Sequence, residues 1–472
     1  MLFRHSSIYI LAKIIPAIMA FVALSLYTHL LRPDEYGIYT LIFTGTVLLH
    51  NVFFNWLGVS TLRFWSNKQF SREIFTNTLA KSYLQIALIL LAVAGTLILY
   101  FWGESESIWV ICSYIFLLAL ALFTLTQNLF TAKIKPEYYA YLTISYSILA
   151  LGLGTLFAYL GFGASGVIVG IALGYLIPSF FVFKKTWLPY KKEAYSPELF
   201  KNLFTYGLPL ASAALFEELT RVSDRFMLAT LQDKTQAGLY SVGYDLSGNS
   251  ILMIMSAINL AAYPIIIKLL DNKGKEAAMD YFRHYTVLLL GIAIPAVIGL
   301  NMVGPDLVYL LIAPEYYESV IYLLPWITMA VFLMGLQAFY FDLAFQLGHY
   351  VIAIVKIGII ISIVNISLNY WLIPIMGIKG AAVATLSSFA LGSILSALMG
   401  RKHFKLPFPF KEFAKILVAA LIMGACLWSF KDLRGWGWLI LQLTIGITSY
   451  GIMMIIFNIL DIRTQIKERL FS

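Results

Sequence analysis

Residues 79–101 read LAKSYLQIALILLAVAGTLILYF, a run with one formal charge, Lys81. A bilayer core is about 30 Å thick and a helix rises about 1.5 Å per residue, so about 20 apolar residues cross it. This run has that length. Comparable blocks, separated by short polar loops, fall at about 8–31, 38–59, 108–131, 139–160, 163–183, 203–230, 238–267, 284–304, 320–345, 350–373, 378–399, 413–430 and 437–460. In hydrocarbon each segment must satisfy its own backbone hydrogen bonds, which makes helices the default. The alternating ten-residue segments of a membrane β-barrel are absent from the sequence. The expected fold is an all-α polytopic membrane protein with about fourteen transmembrane helices.

Composition agrees. The 472 residues are 60% apolar and 12% charged, with a mean hydropathy of +0.83; soluble domains are about a quarter charged. A cytosolic enzyme, a nucleic-acid binder and a secreted disulfide scaffold are excluded. Cys112 and Cys426 sit in apolar runs without a CxxC or a nearby His, so inert thiols are expected, with no disulfide and no metal site. The apolar stretch 8–31 is too long for the core of a cleavable signal and lacks a cleavage site. No GxxxxGK[ST], HExxH or GxSxG occurs, so no enzyme and no cofactor are expected. Loops of under about 20 residues leave no room for an extramembrane catalytic domain.

The charges orient the chain. With a cytoplasmic N-terminus, 26 of the 33 basic residues fall in inside segments, among them Arg72, Lys81, Lys133, Lys135, Lys185, Lys191, Lys192 and Lys201. Outside loops hold Arg32, Lys234, Lys379, Lys431 and Arg434, along with acids such as Glu104, Glu106, Asp306, Glu315 and Glu318. This is the positive-inside pattern, and it predicts both termini in the cytoplasm.

The pattern also repeats. Gly37-Ile38-Tyr39 follows the first span and Gly238-Leu239-Tyr240 the seventh; Gly163-Ala164-Ser165-Gly166 precedes the sixth and Gly377-Ile378-Lys379-Gly380 the twelfth. Pro16 and Pro209 fall early in the first and seventh spans. The expected organisation is an N-terminal lobe over 1–190, a C-terminal lobe over 191–405 and two accessory helices over 406–472. With six helices each, the lobes share one orientation and relate by an axis along the membrane normal.

The seventh span breaks the apolar rule with Glu217, Glu218, Arg221, Asp224 and Arg225. One charge at the bilayer centre costs about 2.5–3.5 kcal/mol on insertion scales. Glu217, Arg221 and Arg225 recur every four residues, while Glu218 with Arg221 and Arg221 with Asp224 are three apart, the spacings at which helical side chains meet. One stripe therefore faces water or protein. Two readings stand: a buried ion network that locks helices together, or a hydrated cavity for an anionic solute, with Arg221 and Arg225 suited to phosphate oxygens. Lys13 and Arg63 are further candidates for the cavity, although a basic chain near a helix end also snorkels to the surface. Glu218, Asp245 and Asp342 are candidates for ion coupling; the alternative is holding the arginines in place for Glu218 and interhelix hydrogen bonding for Asp245 and Asp342.

Several segments together resemble bacterial polysaccharide-export flippases: Leu31-Arg32-Pro33-Asp34-Glu35-Tyr36-Gly37-Ile38-Tyr39, Tyr206-Gly207-Leu208-Pro209, Ser223-Asp224-Arg225-Phe226, Gly238-Leu239-Tyr240-Ser241-Val242 and Tyr263-Pro264. The family is the polysaccharide transporter, or O-antigen flippase, branch of the multidrug/oligosaccharidyl-lipid/polysaccharide superfamily. The resemblance implies two six-helix lobes around a central cavity in a bacterial inner membrane. It implies transfer of an undecaprenyl-pyrophosphate-linked oligosaccharide to the outer leaflet, for O-antigen, capsule or exopolysaccharide synthesis. Polysaccharide polymerases and glycosyltransferases are the implied partners besides membrane lipids; no nucleic acid is. By the same resemblance Asp224 and Arg225 match the family's pair in the seventh span, and Arg63 an arginine ending the second. The Glu217-Glu218 pair departs from the pattern. Two rivals remain open: a cation-coupled multidrug exporter of the same superfamily, which predicts an acidic, aromatic cavity, and a membrane-embedded polysaccharide polymerase or ligase.

Overall fold

The structure, a computed structural model, describes residues 2–66, 69–187, 195–431, 433–461 and 463. Side chains at 2–11, Lys13, Leu210, Ser212, Ala213, Ala214, Glu217 and Asp461 lie outside the description, as do Lys68, Lys191, Lys192, Lys467 and Arg469 altogether. The described residues form helices and turns, without strands. In order these are α1 (Leu2–Leu30), α2 (Pro33–Phe53), α3 (Asn55–Phe64), α4 (Arg72–Tyr100), α5 (Ser105–Ala132), α6 (Pro136–Phe157), α7 (Gly163–Trp187), α8 (Pro197–Leu231), α9 (Lys234–Ser247), α10 (Met253–Lys273), α11 (Lys275–Leu311), α12 (Tyr317–Leu336), α13 (Leu343–Leu347), α14 (Ile352–Met376), α15 (Ile378–His403), α16 (Phe410–Trp428) and α17 (Trp436–Ile456). Single π-helical turns, Ala158–Phe162, Gly248–Leu252 and Gln337–Phe341, join α6 to α7, α9 to α10 and α12 to the turn before α13.

Ten helical segments among the described residues are long and apolar enough to cross a membrane. Three long helices are not among them: α1 is apolar over Ile14–Leu30 within its described side chains, short of the needed length, and α8 and α16 carry too many charges. α8 carries the five charges, and α16 opens with Lys411, Glu412 and Lys415.

The chain divides into two compact units, 1–238 and 239–472. In the first, α8 packs mainly on α2 and α3. Compactness therefore groups α8 with the first unit, whereas the sequence repeat begins its second copy there. The two divisions measure different things, contact and sequence.

Small residues explain the closest helix pair of the first unit. In lipid there is no water to expel between helices, so association relies on close packing. A Cβ on Gly174 would stand 2.6 Å from the Ala150 Cα, and one on Gly170 2.6 Å from the Gly154 Cα. Ala150-xxx-Gly154 on α6 thus meets Gly170-xxx-Gly174 on α7.

Two glycines of the expected repeat share a backbone conformation. Gly163, which opens α7, has φ 54° and ψ −144°; Gly377, just before α15, has φ 57° and ψ −135°. Side chains exclude that region for other residues. Gly37 and Gly238, also equivalent in the repeat, meet directly: a Cβ on Gly37 would run into the Lys234 carbonyl, and one on Gly238 into that of Pro33.

Loops expected on one side also meet within the first unit. Lys234 Nζ lies 3.5 Å from Glu106 Oε1 and 4.1 Å from the Trp109 ring, all expected outside. Lys81 lies over Tyr195 at 4.0 Å and Lys185 donates to the Tyr138 hydroxyl at 2.9 Å, both expected inside.

Candidate functional site

α8 begins at a built cap. The Ser196 hydroxyl accepts from the Leu199 N–H at 3.2 Å, Pro197 fills the first helical position, and the Ser196 N–H donates to Thr78 Oγ1 at 3.1 Å. Its first three turns lie on α3. Ser60 Oγ donates to the Leu203 carbonyl at 2.7 Å, Trp56 meets Phe204 edge-on at 5.2 Å, and Gly207 leaves room for the Trp56 carbonyl and Ser60 hydroxyl. Further along, Phe226 sits against Gly45 of α2. The charges lie between these two contacts.

Burial divides them. Asp224 is 0% exposed and Arg225 6%. The Arg221 side chain is 34% exposed and the Glu218 side chain 14%, and the two pair at 3.1 Å. Thr220 and Ser223 are also buried and return their hydroxyls to the helix, to Phe216 O at 3.1 Å and Thr220 O at 2.9 Å. The stripe therefore grades from a partly exposed arginine to an enclosed acid and arginine one turn on. Formal charges this enclosed persist only with partners, and none of Arg221, Asp224 and Arg225 is without one. The expected role of Glu217, like that of Lys13, falls on a side chain outside the described residues.

Arg63 stands apart. It is exposed in the last turn of α3, and its neighbour Phe64 meets Tyr206 at 5.5 Å. Fifteen residues separate Tyr206 from Arg221, roughly 22 Å of helix. The first unit does not bring Arg63 to the arginine pair.

A cavity of about 690 Å³ opens between α2, α4 and α5, lined by apolar residues such as Leu41, Leu49, Leu90, Val93 and Trp109. Phe226 of α8 contributes to its wall and the α8 charges do not. Hydrocarbon suits it better than a polar head.

In the second unit Asp342 follows the π-turn Gln337–Phe341 and accepts from Ser396 Oγ at 2.7 Å; it is buried. Asp245 is half-buried on α9. Sequence reasoning missed a polar cluster nearby in the same unit. Asn369 donates to Asn365 at 3.1 Å, Asn365 reaches Thr385 at 3.5 Å, and the Tyr240 hydroxyl lies 3.3 Å from Thr385. All four are buried. The two Asn four residues apart in an apolar span were the available signal. Among the described residues no group of three or more His, Cys, Asp or Glu is placed to hold a metal.

Residues 2–270 match the model of a family described as polysaccharide biosynthesis protein. The chain belongs to that family. A relative named probable flippase AglR, from Haloferax volcanii, is 27% identical over 252 residues, 52% of this chain and 51% of the relative. The match thus spans about half the length of that relative. Among solved structures, a lipid II flippase MurJ in an inward closed conformation superposes with a TM-score of 0.76 at 15% identity, covering 97% of this chain and 99% of the other. A multidrug resistance MATE family transporter of the MOP superfamily, inward-facing, gives 0.59 at 17% identity over 83% and 97%. At such identities the likeness is one of fold. Together with the apolar helices it makes this polysaccharide biosynthesis protein a multi-pass membrane protein with the fold of that transporter superfamily.

Proposed function

We propose that the chain is a flippase that moves a lipid-linked oligosaccharide, on an undecaprenyl pyrophosphate carrier, across a bacterial inner membrane for polysaccharide biosynthesis. A sugar-phosphate head cannot cross hydrocarbon alone, because each unpaired polar group costs several kcal/mol there. A protein lined with fixed hydrogen-bonding charges lowers that barrier while the polyprenyl tail stays in lipid. The observation that carries the reading is the graded α8 stripe: Arg221 partly exposed and paired with Glu218, with Asp224 and Arg225 enclosed one turn on. Arg221 and Arg225 supply guanidinium forks for phosphate oxygens; Asp224 and Glu218 hold them in place. Family membership and the AglR match support the class.

The topology belongs to the same proposal: fourteen crossings, both termini on the basic side, lobes over 1–190 and 191–405 that alternate access, and 406–472 as accessory helices. Glu218, Asp245 and Asp342 are the acids proposed to couple an ion, and Lys13 and Arg63 would receive substrate at the basic rim. Glycosyltransferases and a polymerase would work on either side of the step.

Arg225→Ala tests it. Export of the glycan should fall at least tenfold and the lipid-linked precursor accumulate, with the protein still in the membrane. Full surface glycan with this variant refutes the assignment.

A further inference from the structure

The basic end of the first unit holds a cluster that the export reading does not use. Arg72, the first residue of α4, lies 4.3 Å over the Trp65 ring and donates to the Trp65 carbonyl. Lys133, just past α5, lies 5.1 Å from the same ring and 5.7 Å from that of Phe130. Lys135 lies 5.7 Å from the Tyr138 ring. The rings are themselves fixed: Phe130 stacks on Tyr138 at 4.7 Å and 8°, and Phe75 pins Trp65 edge-on at 5.4 Å.

Three features are hard to explain as a solvated rim. Like charges are crowded: burial, then Lys135 and Arg72, push the Lys133 ammonium below the usual lysine range. Among the described residues no carboxylate lies within ion-pair distance of Arg72, Lys133 or Lys135. And Arg72 stands in the first helical turn, where the helix dipole disfavours a cation. Aromatic faces and one carbonyl hold the cations near one another, yet none of these neutralises them. An anion with several acceptor oxygens would do so, and aromatic residues at a helix end mark the depth of lipid headgroups.

We propose that Arg72, Lys133 and Lys135, seated on Trp65 and Tyr138, bind the phosphate group of a lipid head at this end of the first unit. The site is separate from α8 and does not depend on export. Its chemistry is shared by an acidic phospholipid and by a polyprenyl pyrophosphate.

The test uses the full chain in zwitterionic nanodiscs doped with phosphatidylglycerol or with a polyprenyl pyrophosphate, with retained lipid counted by native mass spectrometry. Lys133→Gln and, separately, Arg72→Gln should each reduce retention about tenfold, the scale of one charge-assisted contact. Lys201→Gln, an exposed cation at the start of α8, should leave it unchanged. Selective loss of the polyprenyl pyrophosphate assigns the site to the cargo; equal loss of both lipids assigns it to the leaflet. Either supports the proposal. Unchanged retention in both variants overturns it. So does an equal drop with Lys201→Gln, or binding of inorganic pyrophosphate as tight as that of the lipids. Binding is read without export, so a chain that fails to flip lipid would still report on this site.

Discussion

α1 and α8 occupy equivalent places in the duplicated pattern, each with an early proline and each followed by a Gly-x-Tyr. Their chemistry is opposite. α1 turns Ile14, Ile18, Val22 and Leu26, spaced every four residues, outward, and buries Leu24, Tyr27 and Thr28, with the Tyr27 hydroxyl 3.5 Å from the Ala150 carbonyl on α6. α8 uses the same four-residue spacing for Arg221 and Arg225. In α1 that stripe is apolar and faces outward, whereas in α8 Arg225 of the stripe is buried with Asp224 beside it. The charges of α8 are not needed to form a helix, and their desolvation cost has to be offset by the partners around them.

The sharpest way to break that comparison is to give α8 the chemistry of α1. In Asp224→Leu/Arg225→Leu both buried charges become apolar. Replacing a buried ion pair by well-packed hydrophobic residues is often neutral or stabilising by about 1–4 kcal/mol. The expected result is an unchanged or raised Tm in detergent with glycan export abolished. Export at the parental level would make the charges scaffold. The single change Asp224→Leu removes one buried charge and keeps the other, and should lower the Tm read in the same detergent melt.

The converse puts a charge on α1. Ile18 is exposed on a face with no described polar group among Ile14, Val22 and Leu26. Ile18→Arg should cost about 2.5–3.5 kcal/mol of insertion free energy on translocon scales, read as reduced membrane yield and a lower Tm. A fully tolerated arginine there would show that this position is wet, and the contrast with α8 would vanish.

What the sequence made legible follows the same division. Hydrocarbon thickness and backbone satisfaction are local constraints, so helices appear where the apolar blocks are. Gly163 and Gly377 could be matched because a positive φ leaves few residue choices. The α8 stripe was legible because its spacing lies within one helix. Contacts between distant segments were not: Asp342 with Ser396, His50 with Thr124 at 2.9 Å, or Trp65 receiving Arg72 and Lys133. Loop lysines counted only as orientation signals carry no mark of the ring they will rest on. Arg63, a candidate for the cavity, lies exposed at the end of α3, which meets the first turns of α8 through Trp56, Ser60 and Phe64.

The smallest expected effect sharpens the comparison most finely. Glu218 pairs with Arg221 across one turn at 3.1 Å, with the arginine a third exposed. A pair three apart on one helix is worth about 0.3–0.5 kcal/mol. Glu218→Gln should therefore move Tm by about 1 °C or less. Its effect on export separates two roles for the acid. If Glu218 only holds Arg221, export slows at every pH and sodium concentration by the same factor. If it carries the coupling ion, the variant loses the dependence of export rate on that ion, and the rate curve flattens. Export with parental rate and parental ion dependence removes Glu218 from the mechanism, and leaves Arg221 as a solvent-reached cation whose acid is dispensable. No acid stands in the described stripe of α1 to serve as a control, so Glu218→Gln has to be judged against Glu106→Gln. That acid pairs with Lys234 at 3.5 Å, more exposed than Glu218 and outside the α8 stripe, and its loss should alter neither quantity.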